Sequence, residues 1–369
     1  MWERKQRMDF SFKDLFQHKH VHTVGIDISS TSVKLLELSQ HGSSYRVEAY
    51  GVAALPQEAV VENDIKDIEA VGEAIKLVVG RSRTQCKFAA TAVPSSSVIT
   101  KIIQMDASLD DHDMETQVSL EAGRYIPYPL EEVSLDFEIL GYNEKDESKV
   151  DVLIAASRSE NVDVRIDAVA EGELTTKIID VESYALERTF PLIADQLPNK
   201  GIDKTIAVVD IGSTMTTITI LHNLKTIYSR EEVFGGKQLT EAIQRRYGLT
   251  FEEAGIAKKE GGLADDYIPE VLDPFREALV PLIRRSLQFF FSASRFNSVD
   301  HIIWAGGGAM IPGLHDLIKE RLEVESSVAN PFADMTLANK VDAAQLSADA
   351  PSLMVCCGLA LRSFAHANY

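Results

Sequence analysis

Two aspartates, Asp27 and Asp210, each stand where an apolar strand is predicted to meet a short turn of small polar residues. Such turns present backbone N–H groups and hydroxyls that can surround phosphate oxygens, much as a helix N-terminus does. A carboxylate at the strand end would repel phosphate, but it can hold the water shell of Mg²⁺, which keeps several waters when bound. Lys34 leaves the first turn and could reach the same phosphates as a point charge. The turn residues are Ser29, Ser30 and Thr31 after Asp27, and Gly212, Ser213 and Thr214 after Asp210.

A third small-residue turn follows the predicted strand 301–304 and contains Gly306, Gly307 and Gly308. Its glycines permit close approach of a flat ligand to the backbone. No GxxxxGK[ST] run is present, which excludes a P-loop, and Gly306 and Gly308 lack the third glycine of a dinucleotide fingerprint, which argues against NAD. Three such turns, each after a strand, predict a nucleotide site. The alternative is that all three are structural turns of an α/β fold.

Composition limits the class of protein. The chain has 369 residues with a formal net charge of −19, so its surface should repel phosphate backbones and anionic lipid. We therefore expect no nucleic-acid partner and no direct membrane insertion. The charged start has no secretory apolar core, and no run of about 18 apolar residues exists to span a bilayer. Three cysteines provide neither a disulfide framework nor zinc spacing. These features predict an intracellular protein.

The order of predicted elements indicates a duplicated architecture. The strand–Asp–turn–strand pattern occurs at Asp27 and again at Asp210, which suggests two related lobes. Between them, residues 95–172 predict a βαββα unit large enough for a small core. Thr250 and Glu253 have the spacing of a capping box. Asp273, followed by Pro274, is predicted to cap a long helix.

Three segments carry a family resemblance: Gly25-Ile-Asp-Ile-Ser-Ser-Thr-Ser-Val-Lys34, Val209-Asp-Ile-Gly-Ser-Thr214 and Ala305-Gly-Gly-Gly-Ala-Met-Ile-Pro-Gly313. They resemble the phosphate-1, phosphate-2 and adenosine motifs of the actin-like ATPase superfamily. The inserted βαββα unit is similar to that of FtsA and its relative PilM. The run Glu121-Ala-Gly-Arg-Tyr-Ile-Pro-Tyr-Pro-Leu-Glu-Glu-Val-Ser-Leu-Asp136 resembles a signature of the PilM family of type IV pilus assembly proteins. The resemblance extends from about Phe12 to Phe364.

The resemblance implies an α/β, actin-like (duplicated ribonuclease-H-like) two-lobed fold with an FtsA/PilM-type subdomain 1C insert. The implied boundaries are 1–94 (subdomain 1A, after a polar N-terminal segment), 95–172 (1C), 173–203 (1A), 204–234 (2A), 235–297 (2B), 298–338 (2A) and 339–369 (1A, C-terminal helix).

The resemblance also implies ATP with Mg²⁺ between the two lobes. Asp27, Ser29, Ser30, Thr31 and Lys34 would face the phosphates from one lobe, and Asp210, Gly212, Ser213 and Thr214 from the other. Gly235, Gly236, Gly306, Gly307, Gly308 and Met310 would surround ribose and adenine, with Lys258 nearby. Asp27 and Asp210 would hold Mg²⁺ through water, and Glu182 occupies the place of the water-activating carboxylate.

Two departures from the superfamily pattern concern nucleotide affinity. Ser29 replaces a glycine of the first phosphate turn, and Gly255 stands where many actin-like ATPases place a ribose-binding glutamate. We therefore expect ATP binding with weak or absent hydrolysis.

The implied partner is the cytoplasmic N-terminal peptide of PilN, bound in a groove between subdomains 1A and 1C. We expect Tyr125, Ile126, Pro127 and Tyr128 to line this groove, whereas the structural alternative is that they pack the insert's own core. Pilus motor ATPases and further copies of the chain are additional candidate partners. The implied location is the cytoplasm, with recruitment to the inner membrane through the partner.

Two other functions remain open at this point. A small-molecule kinase or other phosphotransferase could use the same fold, but no acceptor pocket with a general base is visible in the sequence. A bilobal aspartic protease also has one strand-end aspartate per lobe, but here each aspartate precedes isoleucine rather than Thr/Ser-Gly.

Overall fold

The computed structural model describes residues 22–364. Three predicted features lie wholly or partly outside the described range. They are the polar N-terminal segment, the part of the family resemblance before residue 22, and the last five residues of the predicted C-terminal helix range. The chain divides into two units. Within the described range, unit one comprises residues 22–37, Gly51–Ala185 and residues 359–364, and unit two comprises Leu38–Tyr50 and Leu186–Gly358. The seven predicted subdomain boundaries stay a prediction.

The described residues form sixteen strands: β1 Val24–Ile28, β2 Ser32–His41, β3 Ser44–Ala54, β4 Val60–Val61, β5 Asp64–Ile65, β6 Phe88–Val93, β7 Val98–Asp106, β8 Val133–Asn143, β9 Asp146–Arg158, β10 Thr175–Val181, β11 Thr205–Ile211, β12 Thr216–His222, β13 Lys225–Glu232, β14 His301–Ala305, β15 Ser326–Val328 and β16 Thr336–Leu337. The larger sheets have the orders β10-β6-β1-β2-β3-β16, β13-β12-β11-β14-β15 and β7-β9-β8, and β4 pairs with β5.

The same residues form ten α-helices: α1 Ile68–Ser82, α2 Asp111–Ala122, α3 Ser159–Glu171, α4 Glu182–Thr189, α5 Gly236–Tyr247, α6 Phe251–Glu260, α7 Asp273–Ala293, α8 Leu314–Leu322, α9 Ala343–Asp349 and α10 Met354–Ala360. Short 3₁₀ turns connect several of them.

In unit one, β1 runs antiparallel to β2 and parallel to β6, which also pairs in parallel with β10. Helix α1 begins because the Asp67 carboxylate accepts a hydrogen bond from the Ala70 N–H, and it buries Val71, Ile75 and Val78 against the sheet. A Cβ at Gly72 would lie 2.3 Å from Glu171 Cγ, so this glycine allows α1 and α3 to approach closely. The insert has its own sheet, β7-β9-β8, and its own core, in which α2 buries Met114 and Val118.

In unit two, β11 lies between β12 and β14, and the core packs around Trp304, Ile283 and Phe290. The predicted capping box is confirmed, because Thr250 Oγ1 accepts from the Glu253 N–H and the Glu253 carboxylate accepts from the Thr250 N–H. The predicted Asp273 cap is wrong. A π-helical turn, Ile268–Leu272, runs directly into α7, so the backbone is already helical before Asp273.

The helical run Ala343–Phe364 is long and apolar enough in composition to cross a membrane. However, 61% of its most apolar window is buried inside the structure, and 3₁₀ turns follow α9 and α10. Met354 packs in the core of unit two with Phe190 and Ile303. A core helix passes the same compositional test, so this run is weak evidence for a membrane segment.

Candidate functional site

The first predicted phosphate turn follows β1 in unit one. Asp27 is buried, and β1–β2 pairing places it opposite Lys34. Lys34 Nζ lies 2.8 Å from Asp27 Oδ2, and both side chains are largely shielded from solvent. Lys34 was expected to act as a point charge toward phosphate, but here it is paired with the carboxylate expected to hold Mg²⁺. The two side chains therefore form one unit at this turn.

Ser29 fits its turn despite replacing a glycine. Its N–H and its hydroxyl both donate to the Ser32 carbonyl oxygen, at 3.0 and 2.9 Å. None of residues 29–32 has a positive φ, so the turn does not need the conformational freedom of glycine. Ser30 is half-buried and Thr31 is exposed. The backbone of the first turn thus accommodates the departure from the superfamily pattern.

The second predicted phosphate turn follows β11 in unit two and is held by two neighbouring glycine segments. Asp210 is the penultimate residue of β11. Gly306 lies against it with a φ of +79°, and a Cβ at Gly306 would lie 2.2 Å from Asp210 Oδ1. The Gly308 N–H donates to the Ile211 carbonyl oxygen at 2.9 Å. The predicted adenosine turn and the predicted phosphate-2 turn are therefore in direct contact.

The N-terminus of α5 also packs on this turn. The N–H groups of Gly236 and Lys237 donate to the carbonyl oxygens of Gly212 and Ser213, at 3.0 and 2.8 Å. A Cβ at Gly235 would lie 2.4 Å from the Ser213 oxygen. The first N–H groups of α5 thus hold the turn that contains Ser213 and Thr214 in place.

Lys258 lies beside this helix N-terminus with an unusual set of partners. Its Nζ donates to the Gly236 carbonyl oxygen at 3.1 Å and to Thr240 Oγ1 at 2.8 Å. Both partners are neutral, and among residues 22–364 no carboxylate lies within ion-pair distance of Lys258. Burial, together with the neighbouring Lys259, lowers the pKa of Lys258 to about 8. An anionic ligand would supply the missing compensating charge.

Two side chains that sequence reasoning did not identify support the third turn. Arg276 donates to the Pro312 carbonyl oxygen at 2.7 Å and also pairs with Asp273. The His315 ring stacks on Trp304, with centroids 5.7 Å apart, and its Nε2 lies 3.2 Å from the Ala309 oxygen. No pattern of residue spacing in the sequence would have linked Arg276 or His315 to the glycine turn. At the turn itself, Gly307 and Met310 are exposed, so both are open to a ligand.

Glu182 begins α4 directly after β10 in unit one. The buried Arg165 donates to the carbonyl oxygens of Ala92, Asn161 and Asn63 at 2.8–3.0 Å. Burial lowers the pKa of the Arg165 guanidinium, and the carboxylates of Glu182 and Asp64 oppose this effect. Arg165 thus fixes the end of β6 through its hydrogen bond to Ala92. Its positive charge is also close enough to interact with the carboxylate of Glu182.

The predicted partner residues divide between surface and core. Tyr125 and Tyr128 are exposed, with Lys101 Nζ 5.6 Å from the Tyr125 ring centroid and the Arg158 guanidinium 5.1 Å from that of Tyr128. Pro127 is also exposed. Ile126 does not lie on the predicted partner surface. Only 6% of its surface is accessible to solvent, and it packs in the insert core with Met114. The chain turns after α2 and points Ile126 inward.

Arg158 connects Tyr128 with a cavity of unit one. This cavity, of about 460 Å³, is lined by Ile68, Glu132, Arg158, Ser159, Glu160, Asp163, Val164 and Asp167. Its lining comes from the first residue of α1, from Glu132 before β8, from the last residue of β9 and from α3. Two apolar side chains lie among four carboxylates, so the cavity suits a ligand with both apolar and basic groups.

The metal prediction rests on two carboxylates, those of Asp27, which is paired with Lys34, and Asp210. Within the described range, no group of three or more His, Cys, Asp or Glu side chains could hold a metal ion. A water-mediated Mg²⁺ bound largely by phosphate does not require such a cluster. Mg²⁺ at Asp27 and Asp210 therefore stays a prediction.

Comparison with known proteins identifies relatives across nearly the whole chain. The family model of the type IV pilus assembly protein PilM matches residues 25–364. A chain of the solved PilM-PilN type IV pilus biogenesis complex is 28% identical, with a TM-score of 0.77, over 94% of this chain and 100% of that chain. Ethanolamine utilization protein EutJ from Carboxydothermus hydrogenoformans is 16% identical, with a TM-score of 0.54, over 92% of this chain and 89% of its own.

A curated relative, EutJ of Escherichia coli (strain K12), is 28% identical over 148 residues, which is 38% of this chain. The match spans 48% of that relative, about half its length. Together, the family model and the solved structures confirm the predicted actin-like fold. The chain belongs to the family of the type IV pilus assembly protein PilM.

Proposed function

We propose that this chain is a cytoplasmic, ATP-binding adaptor that recruits the N-terminal peptide of PilN during type IV pilus assembly. Its family and the solved complex of a 28% identical relative with PilN support this role. The adaptor would reach the inner membrane through that partner. We also propose pilus motor ATPases and further copies of the chain as additional partners. The seven predicted subdomain ranges are proposed as the structural subdomains of this adaptor.

The cavity of unit one is the proposed peptide groove, and the position of Arg158 is the observation that carries this assignment. Arg158 lines the cavity and also lies over the Tyr128 ring, so one side chain joins the cavity to the exposed aromatic residues. Ile68 and Val164 would contact apolar peptide side chains, and the surrounding carboxylates would contact basic ones. Tyr125, Tyr128 and Pro127 would extend the contact over the surface of the insert.

The proposed nucleotide site draws on both phosphate turns. In unit two, Gly212, Ser213 and Thr214, held by the N-terminus of α5, would bind phosphate, while Gly235, Gly236 and residues 306–310 would surround ribose and adenine, with the charge of Lys258 nearby. The absence of a carboxylate partner for Lys258 within the described range supports an anionic ligand there. In unit one, Asp27, Ser29, Ser30, Thr31 and Lys34 would supply further phosphate contacts. Mg²⁺ would neutralise phosphate charge, with its waters held by Asp27 and Asp210.

Catalysis would depend on Glu182 orienting a water molecule, with Asp210 holding the Mg²⁺ hydration shell. We propose weak or absent hydrolysis, because Gly255 cannot provide the glutamate found in many superfamily ATPases. A Cβ at Gly255 would meet no atom within 4 Å, so the space for that side chain exists but is not filled.

A pull-down with the N-terminal PilN peptide, with and without Mg-ATP, tests this function. We expect Tyr128→Ala to reduce peptide capture while nucleotide binding is retained, and Asp210→Ala to weaken nucleotide binding while capture in the absence of ATP is retained. Failure of the wild-type chain to capture the peptide would contradict the adaptor role. Rapid phosphoryl transfer to a small alcohol or acid would instead favour the phosphotransferase alternative.

A further inference from the structure

The charge of Lys258 lies beside the part of unit two that is expected to surround ribose and adenine. The Lys258 Nζ atom donates to the Gly236 carbonyl oxygen at 3.1 Å and to Thr240 Oγ1 at 2.8 Å, and Thr240 lies one turn of α5 beyond Gly236. The same Nζ is the nearest atom to a Cβ built on Gly236, at 3.5 Å. The ammonium group is therefore placed at Gly236 and the first turn of α5.

The positive charge of Lys258 has no acidic counterpart. Both of its hydrogen-bond acceptors are neutral, and the part of the chain that the structure describes places no carboxylate within ion-pair distance of its Nζ. The charged neighbour that acts on it, Lys259, is also positive, and with burial it lowers the pKa of Lys258 to about 8. At pH 7 the side chain is still mainly protonated. A half-buried cation without a counter-charge is stabilised by an anion bound beside it.

Helix α6 leaves open space next to this charge. Gly255 lies three residues before Lys258, on the same face of α6, and a Cβ built on Gly255 would meet no atom within 4 Å. A glutamate at this position, as the superfamily pattern has it, would pair with Lys258 and would repel a phosphate. Glycine does neither. Position 255 thus combines free space with an adjacent positive charge that is not neutralised.

We propose that unit two binds nucleotides whose ribose carries an additional phosphate on its 2′- or 3′-hydroxyl, with Lys258 contacting that phosphate and Gly255 leaving space for it. The inference rests on the proposed nucleotide site and names the class of ligand for it. The 5′-phosphates are assigned to the turn 212–214, so they do not occupy this position. The ribose hydroxyls of ATP are neutral, whereas a phosphate on one of them supplies the missing negative charge and a stronger, charge-assisted hydrogen bond.

Calorimetric titration of the full chain at pH 7 with adenosine monophosphate and with the adenosine 2′,5′- and 3′,5′-bisphosphates tests the inference. At least one bisphosphate should bind about tenfold or more tightly than the monophosphate. Adenosine diphosphate is the matched ligand, because it adds the second phosphate at the 5′ end instead. Lys258→Met should remove the advantage of the bisphosphate over the monophosphate and leave that of the diphosphate.

Gly255→Glu provides a second, independent variant. It should fold, because its Cβ would meet no atom and glutamate favours a helix more than glycine does. It should abolish the preference for the bisphosphate while binding of the diphosphate is retained, since the new carboxylate pairs with Lys258 and repels the ribose phosphate. Ile256→Glu is the control. It adds the same charge at the next residue of α6, which is 50% exposed and points in another direction, so the preference should persist.

Parallel titration with Mg-ATP separates this inference from the proposed function. Binding of Mg-ATP together with equal affinities for the monophosphate and both bisphosphates would overturn the inference alone. A preference for a bisphosphate that persists in both Lys258→Met and Gly255→Glu would also overturn it. A bisphosphate preference without Mg-ATP binding would support the inference and contradict the proposed ATP ligand. If neither Mg-ATP nor any of the adenosine phosphates binds, both are overturned.

Discussion

Gly306 lies so close to Asp210 that an added Cβ would be 2.2 Å from the Oδ1 atom of the aspartate and 2.5 Å from the Ile211 carbonyl oxygen. Gly306 also has a φ of +79°, a conformation that residues with a Cβ rarely adopt. A residue of the predicted adenosine turn is thereby packed against the predicted phosphate-2 aspartate. The position of Asp210 depends on the absence of a side chain at residue 306.

Gly306→Ala should therefore displace Asp210 and distort the turn. We expect a loss of stability of about 2 kcal/mol or more from the strained φ and the contact, and a fall in Mg-ATP affinity of roughly tenfold or more. Thermal unfolding and fluorescence titration with Mg-ATP measure the two effects.

Gly307→Ala is the matched control. Gly307 is exposed, has no positive φ, and a Cβ there would meet no atom within 4 Å. Its effect on stability should stay below about 0.5 kcal/mol. Equal losses in the two variants would show that the contact between Gly306 and Asp210 has no special role.

Lys258 should make nucleotide affinity depend on pH. Its pKa is about 8 without ligand, so it is charged below that pH and neutral well above it. Binding of an anion favours the charged form and raises the pKa, so affinity should be greatest below pH 8 and fall as the pH rises toward 10. Each unit of pKa increase on binding corresponds to about 1.4 kcal/mol, or tenfold in affinity.

Lys258→Met should lower affinity at pH 7.5 and flatten this dependence, as measured by calorimetry between pH 7.5 and 9.5. Arg245→Met is the control, because Arg245 is exposed and is not among the groups that shift the pKa of Lys258, so this variant should leave the pH profile intact. An unchanged profile in Lys258→Met would remove Lys258 from the nucleotide site.

Sequence reasoning recovers local features whose cause lies within a few residues. The aspartates at the ends of β1 and β11 and the Thr250–Glu253 capping box were predicted because strand alternation and cap chemistry are local. Lys34 pairs with Asp27 because the register of β1 and β2 places the two residues opposite each other. That register is set by the exact length of the turn between the strands.

Other features depend on tertiary packing and leave no signal in residue spacing. Ile126 and Tyr128 belong to the same predicted surface, but the direction of the chain after α2 buries one and exposes the other. Arg276 reaches Pro312 from another helix, and Trp304 and His315 stack across a turn. The Asp273 cap failed because the preceding π-helical turn already continues the helix.

Arg165 should be a large contributor to the stability of unit one. It is 3% exposed and donates to three backbone carbonyl oxygens, each of which would lose that hydrogen bond with Met at this position. Arg165→Met should lower the free energy of unfolding by about 3 kcal/mol. Arg165→Lys should lower it by less, because an ammonium group can keep some of the three hydrogen bonds, although it cannot reach all three oxygens.

Urea denaturation, together with hydrogen exchange near Asn63 and Ala92, measures this effect. Arg124→Met removes an exposed arginine of the insert and should cost less than about 0.5 kcal/mol. Comparable losses in Arg165→Met and Arg124→Met would argue against a buried hydrogen-bond hub at Arg165.

Direct calorimetry of the N-terminal PilN peptide with the full chain is the sharpest test of the adaptor role. We predict measurable binding by the wild type and a loss of affinity of roughly tenfold or more, or about 1.4 kcal/mol, in Glu160→Lys, which places a positive charge among the carboxylates that line the cavity. Glu147→Lys makes the same charge change in β9, away from the cavity, and should leave the affinity unchanged. No heat of binding with the wild-type chain, or equal affinity of Glu160→Lys and the wild type, would contradict the account.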